Sequence, residues 1–236
     1  MPVIATPTPS RAQSLRFGQK TEENAHANEH VLPAIPSDRF EKAAPPSATI
    51  QPVGSFEELL ADGDILHRLA AETEGVPYFE STPATMEMDK KSLANPQNVF
   101  LSVKDENGQT VGGGNLTDRQ EYGPVFSSPA ANQNDCVGMI SNMYFEEPYR
   151  RQGLGSQVLS QLEKRAHELG YNRLFLYTTK ENEAAQRFYV KHGFRICGPD
   201  SPDAPILDRI KTSFFDVSGK PHIFMEKDLP SHDTSD

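Results

Sequence analysis

An α+β fold is what this sequence predicts, and three observations carry the prediction. Short apolar runs with strand character alternate with stretches of helical periodicity, in the order strand, two helices, strands, helix, strand, helix, strands. Asn107-Gly108 separates two such runs, Val99 to Val103 and Thr110 to Gly114, and marks an antiparallel hairpin, because Gly tolerates positive φ and Asn does so moderately. The segment Arg150-Arg151-Gln152-Gly153-Leu154-Gly155-Ser156 follows the apolar run Gly138 to Phe145 and opens a helical stretch, Leu154 to Leu169, so it reads as strand, loop and helix.

Taken in order, Thr49 to Val53 is a short strand with Pro52 near its edge, and Ser55-Phe56-Glu57-Glu58 fits a capping box that opens a helix. A second helix is expected to follow, with Ile65, Leu66, Leu69 and Ala70 on one face before Gly75 and Pro77 break the pattern. The glycines Gly112-Gly113-Gly114 fall inside a strand pattern with no helix after them, so they indicate a bulge or a close backbone approach rather than a phosphate loop. Leu154, Val158, Leu162, Ala166 and Leu169 form one stripe that should pack on the sheet, and Gly170 is placed to cap that helix. Leu174 to Tyr177 is the next strand, Asn182 to Tyr189 a helix, and Ile223 to Glu226 the last strand, with Lys227 and Asp228 running on into solvent. Two long polar connections, Thr117 to Asp135 and Pro199 to about Lys220, are of the length that is usually functional or disordered.

Residues 1–48 are rich in Pro, Ala, Ser, Thr and Glu and hold few large apolar side chains, so they are expected to form a disordered arm. Residues 49–229 are read as one folded domain and 230–236 as a polar tail. Five basic residues in the arm balance five acidic ones, so the formal charge of -10 lies on the folded part, which argues against nucleic acid as a partner. No apolar run approaches the roughly 20 residues needed to cross a bilayer, so no membrane partner is expected. Cys136 and Cys197 are too few for a disulfide framework, and a reducing, cytoplasmic setting is expected. Neither has a metal-ligand spacing partner, and the seven histidines form no clustered pattern, so no metal is expected.

The strand-loop-helix unit carries the chemistry. Gly153 and Gly155 let backbone approach a ligand closely, and the first amides of the following helix have no intrahelical partner, so they can point at phosphate oxygens. Arg150 and Arg151 add positive charge beside them. A plain surface turn before a helix is the alternative reading of such a loop. About twenty residues on, a second apolar run leads to Asn182-Glu183-Ala184-Ala185-Gln186-Arg187-Phe188-Tyr189 and Gly193-Phe194.

Strand, R-x-x-G-x-G loop, helix, strand, then N-x-x-A-x-x-F-Y-x-x-x-G-F resembles the acyl-CoA-binding half of the GNAT superfamily of N-acetyltransferases, over about residues 138–197. The resemblance implies a GNAT-like mixed, mostly antiparallel sheet flanked by helices. It implies an acetyl-CoA-dependent N-acetyltransferase that moves the acetyl group directly to an amine, here expected to belong to a small molecule. A protein Nα- or lysine-acetyltransferase is the rival within that class, and a non-catalytic acyl-CoA-binding sensor or interaction module the rival outside it.

By the same resemblance the amides from Arg151 through Gln152, Gly153, Leu154 and Gly155 to Ser156 hold the acetyl-CoA pyrophosphate, with Arg150 beside them. Main-chain groups at Met143, Tyr144 and Phe145 pair with the pantetheine arm and polarise the thioester, and Asn182 contacts the cofactor unless it serves only as a helix N-cap. Tyr189 matches the tyrosine that protonates the leaving thiolate, a step suited to a phenol with a pKa near 10. His192 is read as a cation at a helix end. No general base is assigned: Glu146 and Glu147 are the nearest acids, at a corner where a solvated charge explains them.

Overall fold

The computed structural model describes residues 47–77, 81–122, 136–198, 201 and 219–230. The expected arm, save its last two residues, and the expected tail beyond residue 230 lie outside these, as do most of the two long connections. Seven strands form one sheet in the order β1-β2-β3-β4-β5-β7-β6, comprising β1 (Ala48–Pro52), β2 (Val99–Asp105), β3 (Thr110–Asp118), β4 (Val137–Ser141), β5 (Arg173–Thr179), β6 (Arg195–Ile196) and β7 (His222–Asp228). Among the described residues only β4 and β5 pair in parallel, and every other pairing is antiparallel. Among the same residues four helices flank the sheet: α1 (Phe56–Glu74), α2 (Pro83–Ala94), α3 (Leu154–Glu168) and α4 (Glu183–Lys191). The α+β fold and the mixed, mostly antiparallel sheet are therefore as the sequence indicated.

The helices differ from expectation at one place. The two helices read between Ser55 and Gly75 are a single helix, α1, which runs through Gly63 because Asp62, Leu66 and Leu69 continue one buried stripe across it. Ser55 Oγ caps it by accepting from Glu58 N–H at 3.1 Å, while Glu58 Oε2 reaches back to Gly54 N–H at 2.8 Å. Gly75, with φ of 61°, ends it and returns its N–H to Ala71. The second helix is instead α2, which buries no side chain and is held at its start by reciprocal Thr82 and Thr85 hydrogen bonds with Pro83 at its first position.

β2, β3, β5 and β7 run longer than the apolar runs suggested, whereas β4 stops at Ser141, short of Phe145. β3 continues to Asp118 and passes into a 3-10 turn, Arg119–Tyr122, so the first long connection starts later than expected. β7 takes in Lys227 and Asp228; Asp228 is exposed to solvent as expected, whereas Lys227 is half-buried and its Nζ pairs with Glu163 on α3 at 2.7 Å.

The β3 glycines are what allow helices to close on both faces. A methyl group at Gly113 would lie 2.6 Å from Leu101 O and 3.2 Å from Leu66 of α1, and one at Gly114 would lie 2.8 Å from Val158 of α3. Successive residues face opposite sides of a strand, so α1 covers one face and α3 the other. Val158, Leu159 and Leu162 of α3 are buried with Leu116, Ile140, Leu174 and Met225 of the sheet. Among the described residues no helix is long and apolar enough to cross a membrane.

A charged pair, Arg173 and Glu226, is buried within the sheet. Glu226 of β7 is 2% exposed and accepts from Arg173 at 3.0 Å, from Arg195 at 3.2 Å and from Ser201 at 3.0 Å. Removing one partner of such a pair strands the other in low dielectric. Glu226→Ala is expected to cost about 3 to 5 kcal/mol in urea unfolding, against under about 1 kcal/mol for Glu183→Ala, whose pair with Arg187 is exposed.

Candidate functional site

β4 and β5 pair only at Val137, Gly138 and Met139, opposite Arg173, Leu174 and Phe175. Beyond Met139 they part. β5 keeps its full pairing with β7 out to Thr179 and His222, so it is β4 that turns away. The cause is one extra residue. From Ser141 to Phe145 the β4 chain takes four steps, while its partners Asn115 to Gly112 on β3 take three. Asn142 absorbs the surplus in the left-handed region, with φ of 54°.

After this bulge the chain rejoins β3, with Gly113 N–H donating to Tyr144 O at 3.0 Å and Glu146 N–H to Val111 O at 2.8 Å. Phe145, between those bonds, directs its own N–H and C=O away from β3. Its carbonyl accepts from Arg150 Nε at 2.6 Å. Tyr144 N–H is already given to Asn142 O at 3.0 Å. Of the backbone donors expected along Met143, Tyr144 and Phe145, that of Tyr144 is therefore engaged. Gly112 permits the close approach, since a methyl group there would lie 2.8 Å from Tyr144 O.

The gap opens into a cavity of about 490 Å³. Ten of the twelve residues singled out from the sequence line it: Met143, Tyr144, Phe145, Arg150, Arg151, Gly153, Gly155, Ser156, Asn182 and Tyr189. Gln152 and Leu154 do not; the Gln152 amide turns to Pro148 O, and Leu154 is buried in the core. At one end lies the start of α3. Gly153, with φ of 86°, precedes the helix, and the first intrahelical bond runs from Gln157 N–H to Gly153 O, so the amides of Leu154, Gly155 and Ser156 have no intrahelical acceptor. Arg151 also sits at positive φ, 59°. The Arg150 guanidinium is tied inward to Phe145 O and to Thr73 Oγ1 at 3.3 Å, which fixes the loop to the strand end and to α1.

α4 forms a second wall. Asn182 Oδ1 caps the helix by accepting from Ala185 N–H at 3.1 Å, while its Nδ2 donates to Glu74 Oε1 at 3.1 Å. Both halves of the amide are thus used, and the side chain still borders the cavity. Tyr189 is 7% exposed, its ring edge-on to Phe188 at 5.2 Å and to Phe194 at 5.5 Å. His192 does more than face a helix dipole: it bonds Phe188 O through Nδ1 at 2.7 Å and Ser156 Oγ through Nε2 at 3.0 Å, linking the end of α4 to the start of α3.

Glu74, the last residue of α1, is the acid that sequence reasoning missed. Its Oε1 accepts from Thr178 Oγ1 at 3.0 Å and from Asn182, and the Tyr144 phenol hydrogen-bonds the same carboxylate. Glu146 and Glu147 do not line the cavity; Glu146 faces Arg68 at 3.7 Å. Burial, then the Glu74 charge, pushes the Tyr189 and Tyr144 phenols well above the ordinary value of 10.0. Both are therefore protonated donors at neutral pH. Among the described residues no group of three or more metal-ligating side chains is present.

A family model described as the acetyltransferase (GNAT) family matches residues 64–194, more than half of the chain, and the chain belongs to that family. YobR of Bacillus subtilis (strain 168), named as an uncharacterized N-acetyltransferase, is 42% identical over 60 residues, 25% of this chain and 24% of YobR. The chain thus matches about a quarter of the length of that curated relative. YncA from Salmonella typhimurium, solved with its cofactor acetyl-CoA, superposes with a TM-score of 0.55 at 16% identity, over 80% of this chain and 98% of that one. A GNAT-family acetyltransferase from Staphylococcus aureus Mu50 gives 0.53 at 15% identity over 78% and 100%. These likenesses establish the fold.

The raised phenols have a measurable consequence. A phenol whose folded pKa exceeds its unfolded value stabilises the fold in full below pH 10, and that contribution is lost as pH rises above 10 toward the folded pKa. Phenolate absorbance of Tyr144 and Tyr189 is expected to appear only with alkaline unfolding. A difference titration between the native protein and Tyr189→Phe checks it; a Tyr189 signal with its midpoint near pH 10 in folded protein would contradict the burial.

Proposed function

We propose that this protein is an acetyl-CoA-dependent N-acetyltransferase that passes the acetyl group directly to an amine of a small molecule. The separation of β4 from β5 above the start of α3 is the observation that carries the reading. An acyl-CoA lying in this gap would place its pyrophosphate at the amides of Leu154, Gly155 and Ser156, with Arg150, Arg151 and Gln152 in the loop before them. Gly153 is needed there for its φ, whereas a methyl group at Gly155 would meet Phe145 and Phe188 at an ordinary contact distance of 3.5 Å, so the protein's own packing does not demand glycine at that position.

The pantetheine arm in this reading runs along Met143, Tyr144 and Phe145, where the Phe145 N–H, directed away from β3, suits polarisation of a thioester carbonyl. Asn182 borders the same channel while holding its own helix. Tyr189, kept protonated by burial, gives its proton to the departing thiolate. The amine attacks the carbonyl carbon without an enzyme-bound acyl intermediate. A second cavity of about 470 Å³ adjoins the first at Thr73, Glu74, Asn182 and Ala184, a size that suits a small acceptor. The transferase domain in this reading spans residues 49–229. Its setting is the cytoplasm, where the absence of a disulfide between Cys136 and Cys197 is expected.

Thermal unfolding with and without acetyl-CoA tests the donor site. At a hundredfold excess over the dissociation constant the gain is about 2.7 kcal/mol, roughly 5 to 10 °C for a domain of this size, and Gly153→Glu should abolish it. No shift in folded native protein would reject the reading. Tyr189→Phe should lower turnover by about 100-fold while the acetyl-CoA shift persists, and unchanged turnover would remove Tyr189 from the mechanism.

A further inference from the structure

An alkylammonium must lose a proton before its nitrogen can attack a thioester, at a cost of roughly 4 to 5 kcal/mol at neutral pH. Glu74 is the only carboxylate among the described residues that lines the groove. It stands where a carboxylate is unfavourable for the helix, at the negative end of the α1 dipole, with no basic residue in the last turn to offset it. Its recorded hydrogen-bond donors, Thr178, Asn182 and Tyr144, are all neutral, and none of the described cations pairs with its carboxylate. Lys220 Nζ bonds the Glu74 main-chain carbonyl instead, at 2.5 Å, and so secures the helix end. Glu74 also borders the second cavity, beside Glu181, Glu183, Arg187 and Lys220, and is the carboxylate among the described residues that the two cavities share.

We propose that Glu74 binds the ammonium group of the acceptor and takes the proton that frees its lone pair, so that the acceptor is an alkylamine and not an arylamine. This rests on the acetyltransferase reading. The ammonium gives one proton to the Glu74 carboxylate, and the nitrogen lone pair forms the C–N bond at the thioester carbon. The C–S bond breaks with its electron pair on sulfur, which takes the Tyr189 phenolic proton. The second nitrogen proton, lost as the amide forms, returns to Tyr189. The products are the acetamide, the CoA thiol and one proton on Glu74, which passes to solvent. Glu181, Glu183, Arg187 and Lys220 line the second cavity with Glu74, and Arg150, Arg151, Lys191, Tyr144, Tyr177 and Tyr189 line the groove with it, while the Glu74 charge also reaches His222; burial keeps Tyr144 and Tyr189 protonated and lowers the His222 pKa, so neither phenol competes for the proton.

The test compares native protein, Glu74→Gln and Glu74→Asp by thiol release from acetyl-CoA, using alkylamines of graded length and arylamines of matching size as probes. Native protein should use at least one alkylamine. Glu74→Gln, which keeps an acceptor for Thr178 and Asn182, should retain its acetyl-CoA thermal shift yet lose about 100-fold or more in kcat/KM on that amine. Its residual rate should climb with pH toward the pKa of the amine itself, because only free base then reacts; any arylamine used should be nearly unaffected. Glu74→Asp should fall between, and it supplies the same readouts if Glu74→Gln does not fold. The proposal is overturned if the native protein binds acetyl-CoA but acetylates only arylamines or no amine. It is equally overturned if the variants match the native rate, or if they slow every substrate alike with an unchanged pH profile, which marks a merely structural carboxylate. Failure of the native protein to bind acetyl-CoA would strike the acetyltransferase reading itself.

Discussion

Everything at this site depends on β4 serving two neighbours that cannot both be satisfied along its length. β5 is committed to β7 at seven successive positions, and the buried Arg173–Glu226 pair locks one end of that ladder. It therefore cannot bend toward β4. On its other side β4 is drawn back to β3 by the bonds at Tyr144 and Glu146, after Asn142 has added its extra residue. The strand follows β3, and the β5 edge from Leu176 onward is left without a strand partner on that side. An unpaired edge exposes a row of backbone donors and acceptors, and a ligand with amide groups of its own is suited to fill it.

The glycines of β3 make this geometry affordable in space. Gly112 lets Tyr144 and Phe145 lie against the strand, and Phe145 in turn contacts the position of Gly155 at the start of α3. Gly114 seats Val158 and Leu162, so the axis of α3 is set by the same strand that sets the bulge. The gap and the helix N-terminus beneath it are therefore placed by one short segment, and a ligand spanning both would meet a preformed site. His192 adds a cross-link from α4 to Ser156, so the wall carrying Tyr189 is referenced to the same helix end. Preorganisation of this kind lowers the ordering cost of binding.

Much of this was legible in local sequence. The Ser55 cap, the turn at Gly108, the α3 stripe and the left-handed Gly170 after it each involve residues within a few positions of one another, where spacing alone constrains geometry. What escaped shares a different character. α2 buries nothing, so apolar periodicity had no signal to show, although Thr82 and Pro83 would have marked its start. The second helix expected around Ile65 is part of α1, because packing of Leu66 and Leu69 carries the helix through Gly63 against its low helix propensity. Asn142 was readable in principle, since Asn tolerates the left-handed region, but nothing local distinguishes a bulge from a plain strand end. Glu226 and Glu74 carry no local signal of their roles because their partners stand far away in sequence; Glu74 meets Thr178 and Asn182 at separations of 104 and 108 residues.

Direct transfer asks for opposed protonation states within one groove, a donor for the sulfur and an acceptor for the nitrogen. The fold separates the two by environment. Tyr189 is enclosed by Phe188 and Phe194, where low dielectric disfavours phenolate and keeps the proton in place. Glu74 stands at a helix end that borders two cavities, where Thr178 Oγ1 and Asn182 Nδ2 donate to its carboxylate. The two are coupled, since the Glu74 charge is itself a cause of the raised Tyr189 pKa. In the proposed reaction, neutralising Glu74 by transfer of a proton from an ammonium would relieve that repulsion and make the phenol a better acid as the thiolate departs. Deprotonation of the nucleophile and activation of the leaving group would then be consecutive consequences of one proton moving onto α1.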